Sequence, residues 1–428
     1  MIMSKEAPKH ETKFQEPRFI VNGKFDPNID VPAVQSAIDA APEDGRTVYL
    51  NGRFSFGTSS VMIRNWARIR GSDEFGKKAE IEGGHNPFTV DSGEQPVSIT
   101  GVQFLNPIEC AIRITSVNNL AINDCKIVTP VPVPSPPITG VTPFNTCGGI
   151  LGVSKVGTVV KEIAGSISIL RNVMDITSQQ TINTDPTART FGINLDLAGQ
   201  SKQANVTISG NTIKNVTAHG MILRDIVGTA TVNGQNSITL GQHGARLTGG
   251  DSFVDGIMCQ GAGKYTVSDN VIDCGYENSA GIRLISRGTS PAPPLTGTTV
   301  TGNSITMSKP STASNGSESA AIELRRRCGI LPDPNTNTVS NTVSNNTIMG
   351  EAGAALSLIA ESNQQGSFIP KHNTFVNNDH QGFTSTLTAD IFVAPNVEDT
   401  NIQSVTGGTI CSNLSVRTSF PQNYVEVC

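Results

Sequence analysis

A short motif recurs along most of the chain and limits its fold more than any other feature. It consists of a strand-like segment, an Asn, one further residue and then an aliphatic residue or Phe, at spacings of 25 to 43 residues. Repetition at such spacings indicates a solenoid. The repeated asparagines are Asn172, Asn211, Asn236, Asn270, Asn303, Asn346 and Asn373, and Cys125 occupies the same place in the segment AINDCKI.

Each repeat has a second half, in which Gly or Ala precedes alternating apolar residues. These segments are CAIRI, FGINLDL, HGMILR, DGIMCQ, AGIRLI, AAIELR, AALSLI and ADIFVA. Alternating strands joined by polar bends wind into coils that stack about 4.8 Å apart. An Asn at a bend tolerates a left-handed backbone and can hydrogen-bond to the Asn of the next coil. The sequence therefore predicts an all-β chain that forms one right-handed parallel β-helix.

The predicted organisation has three parts. Residues 1–45 form a lead-in and a capping helix, predicted from Val31 to Ala41, with Pro32 in its first turn and Asp30 as its cap. Residues 46–410 form the β-helix, beginning with a strand at Thr47. Pro-rich or Ser-rich loops are expected at about 130–145, 289–297 and 308–319. Residues 411–428 form a C-terminal cap or tail.

Composition excludes several classes of partner. A net charge of −5 and a pI near 5.7 give no basic field, so nucleic acid is not expected. No run of apolar residues is long enough to cross a membrane. The first 17 residues lack a secretory signal, so the chain is either cytoplasmic as it stands or secreted after removal of a signal. The oligomeric state is left open.

The eight cysteines include no CxxC pair, which argues against zinc. They are interpreted as buried thiols that fill the turns of the coils.

The opening VQSAIDAAPEDGRTVYL and the repeated NTI and GI-x-L segments resemble the pectin-lyase-like superfamily of right-handed parallel β-helices, over about residues 30–410. The resemblance implies polysaccharide lyases, glycoside hydrolases, epimerases and phage tailspikes, together with non-catalytic members and a few enzymes that act on small molecules. It also implies calcium in many members. Here only Asp251 and Asp255 cluster, so no cofactor is expected, with calcium the sole alternative.

The signatures of individual activities do not match. Asn183-Thr184-Asp185 spells the first element of the polygalacturonase pattern, but the paired Asp, Gly-His-Gly and Arg-Ile-Lys elements do not occur. The pectate-lyase element Trp-Ile-Asp-His does not occur either. The resemblance therefore implies a fold and a range of functions, without selecting one activity.

Two outward columns follow from the GI-x-L strands, whose Ile and Leu face inward. In the superfamily this sheet forms the floor of the substrate groove. In this chain the charged residues of the sheet concentrate in its middle coils. The first column is Arg113, Asn194, Ile222, Met258, Arg283, Glu323, Ser357 and Phe392. The second column is Thr115, Asp196, Arg224, Gln260, Ile285, Arg325, Ile359 and Ala394.

Twelve residues are predicted to form the site. Catalytic candidates are Arg224, Arg283, Asp196, Glu323, His219 and Asp225. Substrate-binding candidates are Asn194, Gln260, Arg325, Lys264, Tyr265 and His243. Arg224 or Arg283 would neutralise a uronate carboxylate, and His219, His243, Lys264 or Tyr265 would supply a base or an acid.

Distance limits the carboxylate pairs that hydrolysis can use. Asp196 and Glu323 lie four coils apart, about 19 Å at the sheet spacing. Two-carboxylate glycoside hydrolysis needs a separation of about 5–9.5 Å. A hydrolase would therefore need a nearer carboxylate, such as Asp225 or Asp255.

Several interpretations stay open at this point. Opposite charges on adjacent strands, such as Asp196 and Arg224, can also be ordinary ion pairs on the surface of a sheet, which we call a surface ladder, without any role in binding. The leading hypothesis is a polysaccharide lyase or glycoside hydrolase that binds an extended, acidic polysaccharide or oligosaccharide. The alternatives are a non-catalytic glycan-binding or tailspike-like β-helix, and an intracellular isomerase or cyclase acting on a small metabolite in a roofed pocket.

Overall fold

The structure, a computed structural model, describes residues 18–44, 46–71, 78–131, 133–134, 145–177, 189–241, 254–261, 263–275, 279–287, 295, 297–308, 320–327, 340–360, 373–385, 391–393 and 401–403. Within these ranges the chain is a parallel β-helix with an N-terminal helix, as predicted. Each full coil contributes one strand to each of three sheets, which we number along the coil from the sheet that contains the GI-x-L strands. The predicted loops lie mostly, and residues 411–428 entirely, outside the described residues.

Sheet 1 contains the GI-x-L strands. Its strands are Val61–Ile63, Phe88–Asp91, the first half of Cys110–Asn123, Asn145–Val153, Arg189–Asp196, His219–Arg224, Val254–Gln260, Ser279–Arg287, Ala320–Arg327, Ala354–Ala360 and Ile391–Val393. The short strand Val133–Pro134 pairs antiparallel with the edge of Asn145–Val153.

Sheet 2 follows sheet 1 in each coil. Its strands are Arg18–Asn22, Thr47–Asn51, Ala67–Gly71, Val97–Thr100, the second half of Cys110–Asn123, Ile163–Leu170, Ala204–Ser209, Gly228–Asn233, Lys264–Ser268, Thr299–Thr301, Thr342–Ser344, Thr374–Val376 and Asn401–Gln403. Because Cys110–Asn123 passes through both sheets, sheets 1 and 2 are continuous at that coil. The strand Arg18–Asn22 pairs parallel with Thr47–Asn51, so the predicted lead-in already contains part of the first coil.

Sheet 3 completes each coil. Its strands are Arg53–Gly57, Glu80–Gly83, Gln103–Leu105, Lys126–Val128, Val173–Asp175, Thr212–Val216, Ser237–Leu240, Val271–Cys274, Ser304–Ser308, Thr347–Ala352 and Asp379–Ser385. A separate antiparallel pair joins Lys155–Val156 to Val159–Val160. All pairings between described coils are parallel, and the inward aliphatic side chains form one continuous core.

The helix is longer than predicted and has a different cap. It spans Pro27–Asp44, and Asp26 caps it, because the Asp26 carboxylate accepts the Asn28 N–H at 2.9 Å. Asp30 is instead buried, where its carboxylate accepts the N–H groups of Lys24, Asp26 and Ser55. Val34, Ile38 and Ala41 pack into the core, so the helix covers the first coils as predicted.

The asparagines form a buried hydrogen-bonded ladder at the corner between sheets 2 and 3. Each side-chain N–H donates to the side-chain oxygen of the next Asn, at 3.0 Å from Asn172 to Asn211 and at 2.8 Å from Asn236 to Asn270. Cys125 occupies the predicted slot, because its backbone N–H donates to Asn172 Oδ1.

The last predicted member of the ladder is wrong. Asn346 donates to Asn378 at 2.9 Å, and Asn373 belongs to a shorter ladder at the corner before sheet 2, where it accepts from Asn341 at 3.0 Å.

A column of glycines explains why Gly or Ala recurs within the GI-x-L strands of sheet 1. A Cβ on Gly220 would lie 2.5 Å from the carbonyl oxygen of Gly256, and a Cβ on Gly256 equally close to that of Gly281. The next two coils carry Ala321 and Ala355, both fully buried. The coils stack too closely here for a larger side chain.

The five described cysteines, Cys110, Cys125, Cys147, Cys259 and Cys274, are buried free thiols as predicted, but only Cys125 lies at a turn and the other four lie in strands. Burial raises the pKa of Cys125 and of Cys147 to about 12. Cys328, Cys411 and Cys428 lie outside the described residues.

Candidate functional site

The strand register confirms both predicted columns on sheet 1 where it is described, except at Thr115, where the register shifts, and adds one coil to them. Leu151 lies between Arg113 and Asn194, and Val153 precedes Asp196. From there the first column runs through Ile222, Met258, Arg283, Glu323, Ser357 and Phe392. The second column runs through Arg224, Gln260, Ile285, Arg325 and Ile359, and Ala394 lies outside the described residues.

One set of polar side chains on sheet 1 is partly exposed and pairs between adjacent strands, as is common on the surface of a sheet. Arg224 Nη1 donates to Asp196 Oδ2 at 2.6 Å, and Arg224 Nε donates to Gln260 Oε1 at 2.8 Å. The side chains of Arg224 and Asp196 are 28% and 27% exposed. This pair is the surface ladder that the sequence left as an alternative.

A second polar group is buried and crosses four successive coils; we call it the ion-pair chain. His219 Nδ1 lies 3.3 Å from Asp255 Oδ2, and Asp255 Oδ1 lies 3.0 Å from Arg283 Nη1. Arg283 Nε lies 3.3 Å from Glu323 Oε1, which also lies 2.6 Å from Arg325 Nε. One arginine thus bridges two carboxylates, with a histidine at one end and a second arginine at the other.

Local sequence explains how these side chains meet. His219 and Asp255 are register partners on adjacent strands, and each precedes a glycine of the glycine column. The next two coils carry Ala280 and Ala320 at the same position. Because these alanines project only methyl groups, the long side chain of Arg283 has room to reach back to Asp255.

Burial dominates the electrostatics of the ion-pair chain. The side chains of Asp255, Arg283 and Glu323 are 0% exposed, and that of His219 is 12% exposed. Loss of hydration raises the pKa of Glu323, an effect that Arg283 and Arg325 oppose and Asp255 reinforces. Glu323 therefore holds its proton to higher pH than an ordinary glutamate.

The carboxylates of this chain keep acceptor capacity. Among the described residues, none donates an aligned hydrogen bond to either oxygen of Asp255 or to Oε2 of Glu323. A carboxylate oxygen can accept two hydrogen bonds, so these three buried oxygens have unused acceptor capacity.

The face around the ion-pair chain differs from the solvent-facing floor predicted from the sequence. Ile222, Met258 and Ile285 point outward yet form a separate buried apolar cluster. Gln260 is 5% exposed and Ser357 is 0% exposed. At these coils the outward side of sheet 1 is enclosed rather than open.

Four predicted site residues lie elsewhere or outside the described residues. Tyr265 points into the core, where its hydroxyl donates to the Gln260 carbonyl at 3.1 Å, so its assignment to substrate binding is corrected. Lys264 is exposed on sheet 2, beside Thr229, and not in the sheet 1 groove. Asp225 lies at the corner that follows the sheet 1 strand, with a positive φ of 52°. His243 lies outside the described residues.

Asn194 is placed as predicted, on the first column beside Ile222. The residue that sequence reasoning undervalued is Asp255, which was only an alternative carboxylate. Its position before the repeated Gly-Ile step, matching that of His219 one coil earlier, was the available signal.

Within the described ranges, no group of three or more His, Cys, Asp or Glu side chains is placed to hold a metal ion. Within the same ranges, no helix has both the length and the apolar character needed to span a membrane.

Comparison with known proteins gives low similarity. No protein-family model matches the chain, and no curated protein matches it. Among solved structures, the Agl-KA catalytic domain matches with 13% identity and a TM-score of 0.38, over 93% of this chain. The Dettilon tailspike protein matches with 13% identity and a TM-score of 0.31, over 90% of this chain.

This chain spans 64% of the length of the Agl-KA domain and 68% of that of the tailspike. The similarities are too low to add to the fold, which is established by the parallel pairing of successive coils.

Proposed function

We propose that this β-helix is a carbohydrate-active enzyme of the pectin-lyase-like kind, a glycoside hydrolase in the first instance, with the ion-pair chain as its catalytic centre. The observation that carries the proposal is the burial of Asp255, Arg283 and Glu323 on the outward side of sheet 1. Removing such ions from water costs several kcal/mol each. Adjacent coils fill the same columns with the apolar Met258 and Ile285, so the fold itself has no need of charges there. Buried carboxyls with a shifted pKa, such as Glu323, concentrate at functional sites.

Two carboxylates in different environments supply the chemistry of glycoside hydrolysis. Asp255 and Glu323 contact the same guanidinium, so their contacting oxygens lie no more than about 9 Å apart, below the upper limit of the separation that such enzymes use. Glu323, with its raised pKa, would protonate the glycosidic oxygen as the C–O bond breaks. Asp255 would accept a proton from the attacking water, whose oxygen forms the new bond to the anomeric carbon.

The remaining groups would position these two. Arg283 fixes both carboxylates, and His219 holds the far oxygen of Asp255. The ladder of Asp196, Arg224 and Gln260 lies on the neighbouring column and offers hydrogen bonds to sugar hydroxyls. Arg224 would also favour a ligand that carries carboxylates.

The test is a panel of neutral and uronate polysaccharides, assayed for new reducing ends and for the ultraviolet absorbance of unsaturated uronate. We expect reducing ends without unsaturation. Asp255→Asn and Glu323→Gln should each lower the rate by about 100-fold or more, the usual weight of acid–base groups. The control is Asp273→Asn, on sheet 3, where the carboxylate accepts a hydrogen bond from Ser308.

Unsaturated product would instead indicate a lyase that uses His219 as its base. Saturable binding of a glycan without cleavage would indicate a binding module. An unchanged rate in both carboxylate variants would refute the assignment of the centre.

Burial of the same residues supports one second candidate, an isomerase or cyclase acting on a small metabolite. Enclosed side chains such as Arg283 and Ser357 suit a compact ligand better than a polymer. Proton NMR of free uronic acids and monosaccharides incubated with the protein would detect this activity. Conversion of these compounds without cleavage of any polymer would favour this candidate over the first.

A further inference from the structure

A groove lies on sheet 2, on a different face of the coil from the ion-pair chain. It is an open groove with a volume of about 340 Å³, formed by the strands Ala67–Gly71, Val97–Thr100, Cys110–Asn123 and Ile163–Leu170. Its volume falls in the range of small-molecule sites, about 300–1,000 Å³. Nothing in the proposed chemistry of sheet 1 uses it.

The wall of this groove contains the only tryptophan of the chain. Trp66 is half-buried, and it packs against the core while lining the groove. The guanidinium carbon of Arg68 lies 5.6 Å from the centre of its ring, in cation–π contact with the indole. A partly exposed indole is a flat apolar platform with one polar edge, which suits the C–H face of a sugar ring.

The floor of the groove carries uncharged hydrogen-bonding groups. Ser98, Ala121 and Ser168 follow one another on successive coils, next to Arg68. Asn119 and Ser166 stand beside them, joined by a 2.8 Å bond from the Ser166 N–H to Asn119 Oδ1. Among the described lining residues Arg68 is the one charged side chain, and none is acidic. Hydroxyl and amide groups around an aromatic platform match the hydroxyls of a neutral sugar.

A column of hydroxyls continues from the groove along the sheet. The residues that follow Ser168 in register are Thr207, Thr231, Thr266, Thr299, Thr342 and Thr374. They repeat once per coil, about 4.8 Å, close to the length of one sugar residue in an extended chain. Threonine is common in strands, so the column alone identifies no ligand. Because the column starts at the Trp66 groove, a glycan bound in the groove can extend along it.

We infer that the groove at Trp66 binds a neutral glycan, whose extended chain continues along the threonine column of sheet 2. The sugar ring at the groove stacks on the indole, and the floor hydroxyls exchange hydrogen bonds with it. This site is independent of the chemistry proposed for sheet 1.

Fluorescence can test this directly, because Trp66 is the only tryptophan in the full chain. The probes are hexasaccharides of glucose with β-1,4 or β-1,3 links and a hexamer of galacturonic acid. We expect a saturable change in tryptophan emission with a neutral hexasaccharide. Ser168→Ala should weaken that binding about five-fold, the usual weight of one hydrogen bond. The matched control is Ser304→Ala, an equally half-buried outward serine on sheet 3.

A second measurement separates this site from sheet 1. Glu323→Gln should leave the emission titration unchanged, whether or not it abolishes cleavage. Trp66→Ala should lose retardation in a gel that contains soluble neutral glucan. The inference is overturned by an emission that no neutral hexasaccharide alters, by a response to the uronate hexamer alone, or by equal binding in the two serine variants.

Discussion

Arg283 Nη1 lies 3.0 Å from Asp255 Oδ1, and both side chains are completely buried although they stand on the outer side of a sheet. The same guanidinium reaches Glu323 on the next coil. Glu323 also contacts Arg325, and Asp255 also contacts His219, so Arg283 is the one positive group that the two buried carboxyls share.

Replacing Arg283 should destabilise the fold strongly. Arg283→Ala leaves Asp255 and Glu323 buried without their shared counter-ion, which costs about 3–5 kcal/mol. Urea unfolding followed by circular dichroism measures this cost. Arg224→Ala is the matched control, because its partner Asp196 is partly exposed, and it should cost at most about 1 kcal/mol. Equal costs for the two variants would contradict the role assigned to burial.

The raised pKa of Glu323 predicts a pH dependence with a definite sign. Below its ordinary value of 4.5 this carboxyl is protonated in the folded and unfolded chains alike. As pH rises, the unfolded chain ionises first, so the free energy of unfolding falls until the folded pKa is passed. Glu323→Gln should remove this decline, as measured by urea unfolding at a series of pH values.

Glu162 provides a control of opposite sign. Partial burial acts to raise the pKa of Glu162, but hydrogen bonds from Lys202 and Ser201 prevail and lower it. Its contribution to stability is therefore present above the unfolded pKa and lost as pH falls through the folded pKa. In Glu162→Gln, the free energy of unfolding should fall less steeply as pH drops below the unfolded pKa. A change in the pH range that Glu323→Gln affects would refute the assignment.

The asparagine ladder predicts that its central members matter for stability. The Asn270 side chain donates to Asn303 Oδ1 and to the Val232 carbonyl, both buried. Asn270→Ala removes both of these hydrogen bonds and the oxygen that accepts from the Asn236 side chain, at about 1–3 kcal/mol for each buried group left unpaired. Asn205→Ala, at an exposed position where the side chain accepts from Thr229, should change stability by less than about 0.5 kcal/mol. Thermal unfolding compares the two variants.

The glycine column predicts a steric penalty. Gly220→Ala places a Cβ 2.5 Å from the Gly256 carbonyl oxygen, so the coils must separate locally. We expect a loss of about 1–3 kcal/mol or more, typical of overpacking, in urea unfolding. The comparison is Ala321, which already carries a Cβ at the same step of a later coil. Ala321→Gly should cost no more than about 1 kcal/mol. A larger loss in Ala321→Gly than in Gly220→Ala would argue against close stacking as the cause.

Sequence periodicity is sufficient to predict the fold, because the inward aliphatics and the ladder asparagines must repeat with every coil. The prediction fails in coils where another residue replaces one of these repeated aliphatics or asparagines. In the strand Asn145–Val153, Gly152 holds the inward position that Leu195 fills one coil later, so the pattern passes over this coil. Near the end, the buried His380 follows Asn378 where an aliphatic residue is expected, so the pattern points to Asn373 instead.

The candidate site was predicted only in part, for a different reason. Register identifies which residues share a column, so Arg283 next to Glu323 followed from the repeat. Register does not show how far a flexible side chain reaches. The contact of Arg283 with Asp255 runs diagonally, back one coil and across the strand, and depends on the small Ala280 and Ala320. Burial of the outward face was not visible in the pattern either.

The order of the coils along the chain also determines the order in which the Trp66 groove and the ion-pair chain can form during synthesis. The Trp66 groove needs residues only as far as Ser168, whereas the ion-pair chain needs the strand that contains Arg325. Because chains emerge from the ribosome starting at the N-terminus, a nascent chain would complete the groove long before the ion-pair chain. A protein truncated after the first coils would thus keep one site and never assemble the other.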